Sequence, residues 1–211
     1  MGTSNPPQYV AIFCGLAIAL AATAHAQTRR VEISPFAGIQ FGGGVFSRQG
    51  ELDIEPDLAY GVIVDVRVRP DATIQALYVR QDTELEFRDH DPLFPRTVRA
   101  GLAVEYYHLG GTVEFGEGRL RPYFALTVGA TRFDAKVEGV GSEWRFSIGS
   151  GLGFKTYLNP RFGFRLEGRV WPTFLQTSGG FLCSLPGACL VEISGDFITQ
   201  GNATAGFFVT F

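Results

Sequence analysis

Two of the three histidines of this 211-residue chain are candidate catalytic bases. His90 lies between Asp89 and Asp91 in RDHDP, and such a cluster could bind a divalent cation, although it is more often a solvated loop. His108 lies three residues after Glu105, and in a strand this odd spacing turns the two side chains to opposite faces. If Glu105 points into the protein, His108 points out of it, where a general base would be misplaced. We therefore predict no catalytic residue.

Two further motifs match functional patterns only in their letters. The sequence GSGLG at residues 149–153 resembles a phosphate-binding loop, but no helix is predicted after it. Asn202, Ala203 and Thr204 match a glycosylation acceptor, yet they lie within a predicted strand. The sequence therefore predicts neither a metal site nor a cofactor.

The charge balance argues against a nucleic-acid partner. The chain has 18 Lys and Arg residues against 21 Asp and Glu residues, which gives a formal net charge of −3 at pH 7. Lys136 and Lys155 are the only lysines, so the other sixteen basic residues are Arg. Because Arg stays charged in poor solvent and forms forked pairs with carboxylates, this bias suits ion pairs in confined places.

The first 26 residues have the pattern of a secretory signal peptide. Residues 10–24 form an apolar run of fifteen residues that leads into the small-residue pattern Ala24-His25-Ala26, although no Lys or Arg precedes the run. The run is shorter than the roughly 20 residues of a membrane-spanning helix. We predict a signal peptide over residues 1–26 and a single exported domain over residues 27–211.

Removal of the signal peptide leaves two cysteines, Cys183 and Cys189, in CSLPGAC. An even pair around a Pro-Gly turn in an oxidising compartment predicts a local disulfide. Two free thiols are the alternative, and a zinc site would need more ligands than this pair offers.

Segments of alternating polarity, about ten residues long as in transmembrane strands, recur along the exported part of the chain. Nothing in it shows a sustained helical period. The connections between the segments alternate between long and short, which is the organisation of a bacterial outer-membrane barrel. We predict an all-β fold, an eight-stranded antiparallel up-and-down transmembrane barrel, with strands at 30–41, 58–69, 73–83, 99–115, 121–134, 144–158, 161–174 and 198–211.

The two faces of the predicted strands differ in polarity. In segment 161–174, Phe162, Phe164 and Leu166 share one face, whereas Arg165 and Glu167 share the other. An Arg that faces lipid at the membrane midplane costs about 2–4 kcal/mol, so the register is strongly specified. We expect an apolar outer wall and a charged interior, the reverse of a water-soluble barrel such as a lipocalin.

Eight strands enclose an interior that side chains can fill, so the inward charges are expected to pair with one another. A structural plug is the favoured interpretation, and a narrow conduit is the alternative. A row of glycines at 149, 151 and 153 is expected to make room for Arg165 and Arg169, and the nine-residue spacing of Glu105 and Glu114 predicts a bulge or a strand end between them. The predicted interior ion pairs involve Asp65, Arg67, Arg80, Glu105, Lys155, Arg165, Glu167 and Arg169.

Aromatic residues occur toward both ends of the predicted strands, as in the interfacial girdles of such barrels. Ordinary enrichment of aromatic residues in strands is the alternative explanation. The expected girdle residues are Phe115, Tyr123, Tyr157, Phe162 and Phe211 near the short turns, and Phe41, Phe87, Trp144 and Trp171 near the long loops.

The signal segment, the eight alternating strands, the short turns opposite long loops and the terminal FFVTF resemble the small outer-membrane barrels of the outer membrane protein A and opacity-protein type. The resemblance covers the whole exported part of the chain as a pattern, without a specific site motif. It implies that the last strand, with Phe207, Val209 and Phe211, is the signal read by the barrel assembly machinery. Some members add a periplasmic domain that binds peptidoglycan, and none is expected here. Lipid A deacylase barrels of similar architecture have a serine two residues after a histidine, whereas Gly110 stands two residues after His108.

These observations predict a non-catalytic barrel of the bacterial outer membrane that contributes to envelope integrity or to surface interaction through its long loops. A narrow channel for small solutes or hydrophobic compounds and a lipid-modifying enzyme are the alternatives. The expected partners are outer-membrane lipid and lipopolysaccharide, the barrel assembly machinery and a surface ligand bound by the loops, with no nucleic acid, and the protein is expected to be a monomer. The loop 175–197, with its apolar FLCSLPGACL, is expected to contact lipopolysaccharide or a partner protein, or to cap the barrel.

Overall fold

The computed structural model describes residues 31–46, 50–89, 97–137, 139–175, 180–183, 189–192 and 197–211. Within these ranges the chain has no helix long and apolar enough to cross a membrane. The described residues form twelve strands, which are β1 (Val31–Gly42), β2 (Val45–Phe46), β3 (Gly50–Ile54), β4 (Asp57–Arg69), β5 (Ala72–Asp89), β6 (Thr97–Glu114), β7 (Leu120–Ala135), β8 (Glu143–Asn159), β9 (Phe162–Phe174), β10 (Gly180–Cys183), β11 (Cys189–Glu192) and β12 (Phe197–Thr210).

Eight of these strands form a closed antiparallel barrel in the order β1, β4, β5, β6, β7, β8, β9 and β12. Each strand pairs with the next, and β12 pairs with β1 to close the wall. The seam continues past the end of β12, because Val31 N donates to Phe211 O over 3.2 Å and Phe211 N donates to Val31 O over 2.8 Å. The predicted eight-stranded up-and-down barrel is confirmed, and closure removes the open edges of the sheet.

The strand bounds agree with the prediction to within two residues at every barrel strand except β5. The sequence predicted a loop after residue 83, whereas β5 continues to Asp89 and pairs there with β6 and with β3. β2 pairs in turn with β3. Beyond the barrel wall, four segments therefore form a small sheet, which we call the rim sheet and define as β2, β3, residues 85–89 of β5 and residues 97–101 of β6.

The two ends of the barrel differ in the length of their connections, as the sequence predicted. Residues 70–71, 115–119 and 160–161 make the three short connections at one end, which we call the short-turn end. The rim sheet and the loop that contains β10 and β11 lie at the opposite end, which we call the long-loop end.

The outer wall is apolar over most of its height. On β9, the side chains of Phe164, Leu166 and Val170 are exposed, whereas those of Arg165 and Arg169 between them are buried. Contiguous apolar surface of this extent needs lipid or a partner to cover it. Exposed apolar side chains on the other strands include Ile33, Ile39, Leu58, Ile74, Leu109, Leu126, Leu152, Phe154 and Phe207.

Several predictions concern residues outside the described ranges. The signal peptide at 1–26, His90 with Asp91, and much of the loop 175–197 lie there. Within that loop, β10 and β11 pair, and Cys183 is the register partner of Cys189. The disulfide between the two cysteines stays a prediction.

Candidate functional site

Lys155 lies at the centre of a buried group of charges near the short-turn end. Its side chain is 0% exposed, and its Nζ lies 2.6 Å from Glu32 Oε1, 3.1 Å from Glu114 Oε1 and 3.6 Å from Asp65 Oδ2. The three carboxylates come from β1, β6 and β4, whereas the ammonium comes from β8. Because an unpaired buried charge costs several kcal/mol, this group ties four strands together.

Charged side chains on β9 extend this group toward the middle of the barrel. Arg165 Nη2 donates to Glu167 Oε2 over 2.7 Å, and Arg169 Nε donates to Glu167 Oε1 over 2.6 Å. Arg165 Nη1 also donates to Asp65 Oδ2 over 3.0 Å, which joins the two groups. We call the combined set the ionic layer, and its members are Glu32, Asp65, Arg67, Glu114, Arg121, Lys155, Arg165, Glu167 and Arg169.

Neutral side chains complete the hydrogen bonding of the ionic layer. Tyr123 OH donates to Glu167 Oε2 and accepts from Arg165 Nε, each over 2.7 Å. A buried polar network is stable only when its members are satisfied. The other two guanidinium nitrogens of Arg169 donate to Thr127 Oγ1 over 3.1 Å and to Gln75 Oε1 over 2.8 Å.

The glycine row at 149, 151 and 153 leaves the space that three interior side chains fill. A Cβ at position 151 would lie 3.0 Å from Arg169 Nε, in agreement with the role expected from the sequence. A Cβ at position 153 would overlap the ring of Tyr123, and one at position 149 would lie 2.7 Å from the ring of Trp171. The row therefore accommodates Arg169, Tyr123 and Trp171. Arg165, which was also expected there, is not among the nearest neighbours of these positions and instead donates to Tyr123 OH.

A second layer of the interior consists of neutral polar and aromatic side chains around His108. His108 Nε2 lies 2.8 Å from Ser147 Oγ, and its Nδ1 lies 3.2 Å from Thr127 Oγ1. The imidazole also packs edge-on against Trp171, with 4.9 Å between ring centroids. We call this set the neutral polar layer, and its members are Tyr106, His108, Thr127, Thr131, Ser147, Trp171, Thr173 and Gln200. No group of three or more His, Cys, Asp or Glu residues is placed to hold a metal ion among the residues that the structure describes.

The expectation that His108 faces outward was wrong, and so was the bulge predicted between Glu105 and Glu114. β6 pairs with β5 and with β7 without a register shift. In a regular strand, residues separated by an odd number of positions lie on opposite faces. Glu105 is three residues from His108 and nine from Glu114, so Glu105 points outward while His108 and Glu114 point inward.

The third layer of the interior, at the long-loop end, is apolar. Phe133 and Leu102 are fully buried there, and the strands around the barrel contribute the other members. The side chains of the second and third layers are all buried, so they fill the interior at those two levels. We call this set the apolar layer, and its members are Ile54, Leu85, Leu102, Phe133, Leu175 and Ile198.

A cavity of about 840 Å³ opens at the short-turn end, and we call it the mouth cavity. Arg67 and Arg121 reach into it, and each has one nitrogen 3.4 Å from the same carboxylate, that of Glu114. The Arg121 guanidinium also lies over the ring of Tyr157, 4.5 Å from its centroid. The cavity is lined by Arg67, Pro70, Glu117, Gly118, Arg119, Arg121, Tyr157, Leu158, Asn159, Pro160 and Thr210.

Arg80 and Glu105 face the outside of the barrel, which corrects the prediction that they pair in the interior. Arg80 Nη1 donates to Glu105 Oε1 over 2.9 Å, and Arg132 Nη1 donates to Glu105 Oε2 over 3.1 Å. Arg132 also lies 6.0 Å from the centroid of Trp144. We call this set the outer cluster, and its members are Tyr78, Arg80, Asp82, Glu105, Tyr107, Arg132, Asp134, Lys136 and Trp144.

The comparisons with known proteins identify the architecture. No protein-family model and no curated protein sequence matches the chain. The crystal structure of Neisserial surface protein A is similar, with a TM-score of 0.56 and 12% sequence identity over 86% of this chain and 97% of that one. The outer membrane protein OprG from Pseudomonas aeruginosa is similar with a TM-score of 0.53 and 13% identity over 87% of this chain and 95% of that one. The chain is an eight-stranded barrel of the outer-membrane type.

The height of the outer cluster explains how an outer-membrane barrel accommodates charges on its wall. Arg80 follows Asp71 of the short turn by nine residues. At about 3.3 Å per residue and a tilt of about 40°, it lies roughly 20–25 Å above that turn. The apolar band of such barrels is about 25 Å tall. If the band begins at the short turns, we expect the outer cluster to lie at its upper boundary, where lipid headgroups and water can solvate it.

Two of the expected girdle residues lie inside the barrel. Tyr123 and Trp171 are buried in the interior, where they contact the ionic layer and His108. Trp144 and Phe211 are exposed at the two ends of the wall, as a girdle requires. Tyr157 lines the mouth cavity instead.

The last strand presents the expected residues to the outside. Phe207 and Phe211 are exposed, and Val209 shares their face. Phe208 points inward, where its ring packs edge-on against Tyr157 with 4.9 Å between centroids. A Cβ at residue 163 would overlap the ring of Phe208, so a glycine of β9 makes the space for this large side chain.

Proposed function

We propose that the protein is a non-catalytic, non-conducting barrel of the bacterial outer membrane whose packed interior holds a surface-exposed rim sheet in place. The burial of every side chain in the neutral polar layer and the apolar layer is the observation that carries this proposal. A barrel filled in this way has a rigid wall and no lumen for transport. Functional variation then lies in the connections at the long-loop end, which face the cell exterior, whereas the short-turn end faces the periplasm.

The burial of the interior histidine supports a non-catalytic role. His108 and Ser147 are within hydrogen-bonding distance, which is the arrangement of a base and a nucleophile. Their side chains lie inside the barrel and are buried, so a lipid substrate cannot reach them. Mass spectrometry of lipid A from cells with and without the protein is expected to give identical species. A protein-dependent loss of an acyl chain would contradict this part of the proposal.

The rim sheet supports a role at the cell surface. Two of its four segments are the parts of β5 and β6 that extend beyond the barrel wall, and β3 pairs with β5 there. A sheet that continues from a packed barrel is held in a fixed orientation, which lowers the entropic cost of binding a partner. Surface interaction and support of the envelope through contacts with lipopolysaccharide are the roles that this arrangement fits.

A shortened barrel tests the proposal directly. Replacement of residues 44–52 and 87–98 by short Gly-Asn turns removes most of the rim sheet but leaves Ile54 and Leu85 of the apolar layer in place. We expect deletion of the gene to raise sensitivity to detergent or to reduce adhesion of the cells, and the full-length protein to restore the wild-type behaviour. The shortened protein, present at the same level in the outer membrane, is expected not to restore the wild-type behaviour. Full restoration by the shortened protein would contradict the proposal.

The last strand supports recognition by the barrel assembly machinery. Phe211 is 73% exposed and lies at the short-turn end of the closing seam, where the machinery could contact it on the periplasmic side. The variant Phe211→Ala is expected to lower the amount of assembled protein in cells. Refolding of the purified variant in detergent is expected to be unchanged, because Phe211 packs against no interior side chain. An unchanged amount of the variant in cells would contradict this role.

A further inference from the structure

The short-turn end carries more positive than negative charge. Within the described residues, the turns and strand ends here carry Arg67, Arg69, Arg119, Arg121 and Arg161 against Asp71 and Glu117. Beneath them lie the buried Lys155 and its three carboxylates, those of Glu32, Asp65 and Glu114. The imbalance is concentrated at the mouth cavity, whose lining contains three of these arginines and one carboxylate, Glu117. Asp71 and Glu114 line an adjoining cavity of about 440 Å³. Glu117 and Arg121 line both cavities, and the larger one is distinguished by Arg67 and Arg119.

The arginines of the mouth cavity are incompletely matched by the carboxylates around them. Glu114 accepts from Arg67 and Arg121 over 3.4 Å each. The same carboxylate lies 3.1 Å from Lys155 Nζ and 3.2 Å from Tyr157 OH. Arg67 and Arg121 therefore share one buried carboxylate, whereas Lys155 also lies close to Glu32 and Asp65. Arg119 forms no ion pair with a described carboxylate. Charge-assisted hydrogen bonds from these guanidiniums remain available to a ligand.

Backbone contacts hold two of these guanidiniums in fixed positions before any ligand binds. Arg67 Nη1 donates to Pro70 O over 2.7 Å, and Arg121 Nε donates to Gly118 O over 3.1 Å. The ring of Tyr157 supports Arg121 from one side. Groups that are already ordered lose little entropy on binding, which favours affinity.

We propose that the mouth cavity is a binding site for a phosphate group on the periplasmic side of the barrel. The planar guanidinium matches phosphate oxygens through two parallel hydrogen bonds. A volume of about 840 Å³ is within the usual range for small-ligand sites, about 300–1,000 Å³. The phosphate is carried either by a soluble phosphate ester or by a phospholipid headgroup of the adjacent leaflet, and the cavity borders on the wall at Leu158.

Isothermal titration calorimetry of the purified barrel in a neutral detergent tests this site at constant ionic strength. The probes are inorganic phosphate, glycerol 3-phosphate and a short-chain phosphatidylglycerol below its micelle concentration, with glycerol as the uncharged comparison. We expect saturable binding of one phosphate probe per barrel and none of glycerol. Binding of the soluble probes supports a soluble ester as the source, whereas binding of the phosphatidylglycerol alone supports a lipid headgroup. No saturable binding of any phosphate probe would overturn the proposal.

Matched arginine variants separate the site from general electrostatic attraction. Arg119→Gln and Arg121→Gln are each expected to weaken binding roughly tenfold, the loss of a hydrogen bond to a charged group. Arg69→Gln is the control with the same change of charge, because Arg69 is outside the lining and pairs with Asp71 at 3.9 Å. Arg119 makes no interior contact that folding requires, so its variant keeps the test independent of stability. Equal weakening by Arg69→Gln and Arg119→Gln would also overturn the proposal.

Discussion

At the scale of single residues, Lys155 has the most demanding position in the barrel. Its ammonium is fully buried and lies within 3.6 Å of three carboxylates from three different strands. The carboxylates and the ammonium stabilise each other only as a set, because any one of them alone would be an unpaired charge in a poor solvent. Loss of any one member of this set is therefore expected to be costly, although the outer wall of the protein is apolar.

The variant Lys155→Met tests this position. It removes the ammonium but keeps the volume of the side chain, so Glu32, Glu114 and Asp65 face one another without their shared cation. We expect the free energy of unfolding to fall by about 3–5 kcal/mol, the usual cost of breaking a buried ion pair. Urea unfolding of the refolded barrel measures this change.

Lys136→Met is the matched control for this measurement. Lys136 pairs with Asp82 at 3.3 Å on the outer face, where its side chain is 58% exposed. An exposed pair contributes at most about 1 kcal/mol. Equal stability of the two variants would contradict the importance assigned to Lys155.

Two glycine-to-alanine variants compare the packing of the interior with that of the lipid-facing wall. Gly153→Ala adds a methyl group where the ring of Tyr123 and the backbone of β9 already lie, and overpacking of this kind costs about 1–3 kcal/mol. Gly168→Ala adds the same group to the outer face, where the nearest atom within 4 Å is Asn202 O at 3.9 Å. The same unfolding measurement is expected to show a loss only for the first variant, and a similar loss for both would contradict the packing described here.

At the scale of strands, the alternation of side chains and the outer cluster define how the barrel sits in the membrane. The outer cluster places Trp144 beside Arg132 at the long-loop boundary of the apolar band. In the background Trp171→Phe, the fluorescence of Trp144 is expected to be quenched most strongly by lipids brominated close to the headgroup, because aromatic girdles lie at the interface. Strongest quenching by bromine near the end of the acyl chain would place the outer cluster at the midplane and contradict this position.

The strands could be predicted from the sequence because each face of each strand contacts one kind of environment. On β9, Phe or Leu alternates with Arg or Glu along the strand, and only one register keeps the Arg side chains out of the lipid. On β6 the same rule was available, since Glu114 and His108 share one face and Glu105 takes the other. The sequence interpretation placed Glu105 inside because charge was assumed to belong to the interior, and it then required a bulge. A charge at the membrane boundary has water within reach, so composition alone does not identify its face.

For residues of the ionic layer, the pairing partners were harder to predict from the sequence than the strand face on which each residue lies. Glu32 was not among the predicted interior ion pairs, because nothing in the sequence brings β1 next to the ammonium of β8. Tyr123 and Trp171 were assigned to girdles because aromatic residues suit both an interface and a packed interior. Their spacing gives a usable signal, since Trp171 is two residues from Arg169 and therefore shares its inward face.

At the scale of the whole molecule, the three layers give the barrel a polar centre between two different ends. The long-loop end is closed by the apolar layer beneath the rim sheet, and the short-turn end opens into the mouth cavity. This asymmetry is consistent with the proposal that the barrel does not conduct. The two proposals concern different ends of the molecule, surface contacts at the long-loop end and a phosphate site at the short-turn end.

Single-channel recording in a planar lipid bilayer tests the closed interior most directly. The purified barrel is first shown to be folded by the change in gel mobility that boiling causes. We then expect insertion of the barrel to give no steady conductance steps above the baseline, at either sign of the applied voltage, because buried side chains fill the interior at the levels of the neutral polar layer and the apolar layer. Steady, reproducible steps from the folded protein would show an open aqueous pathway and would contradict the account.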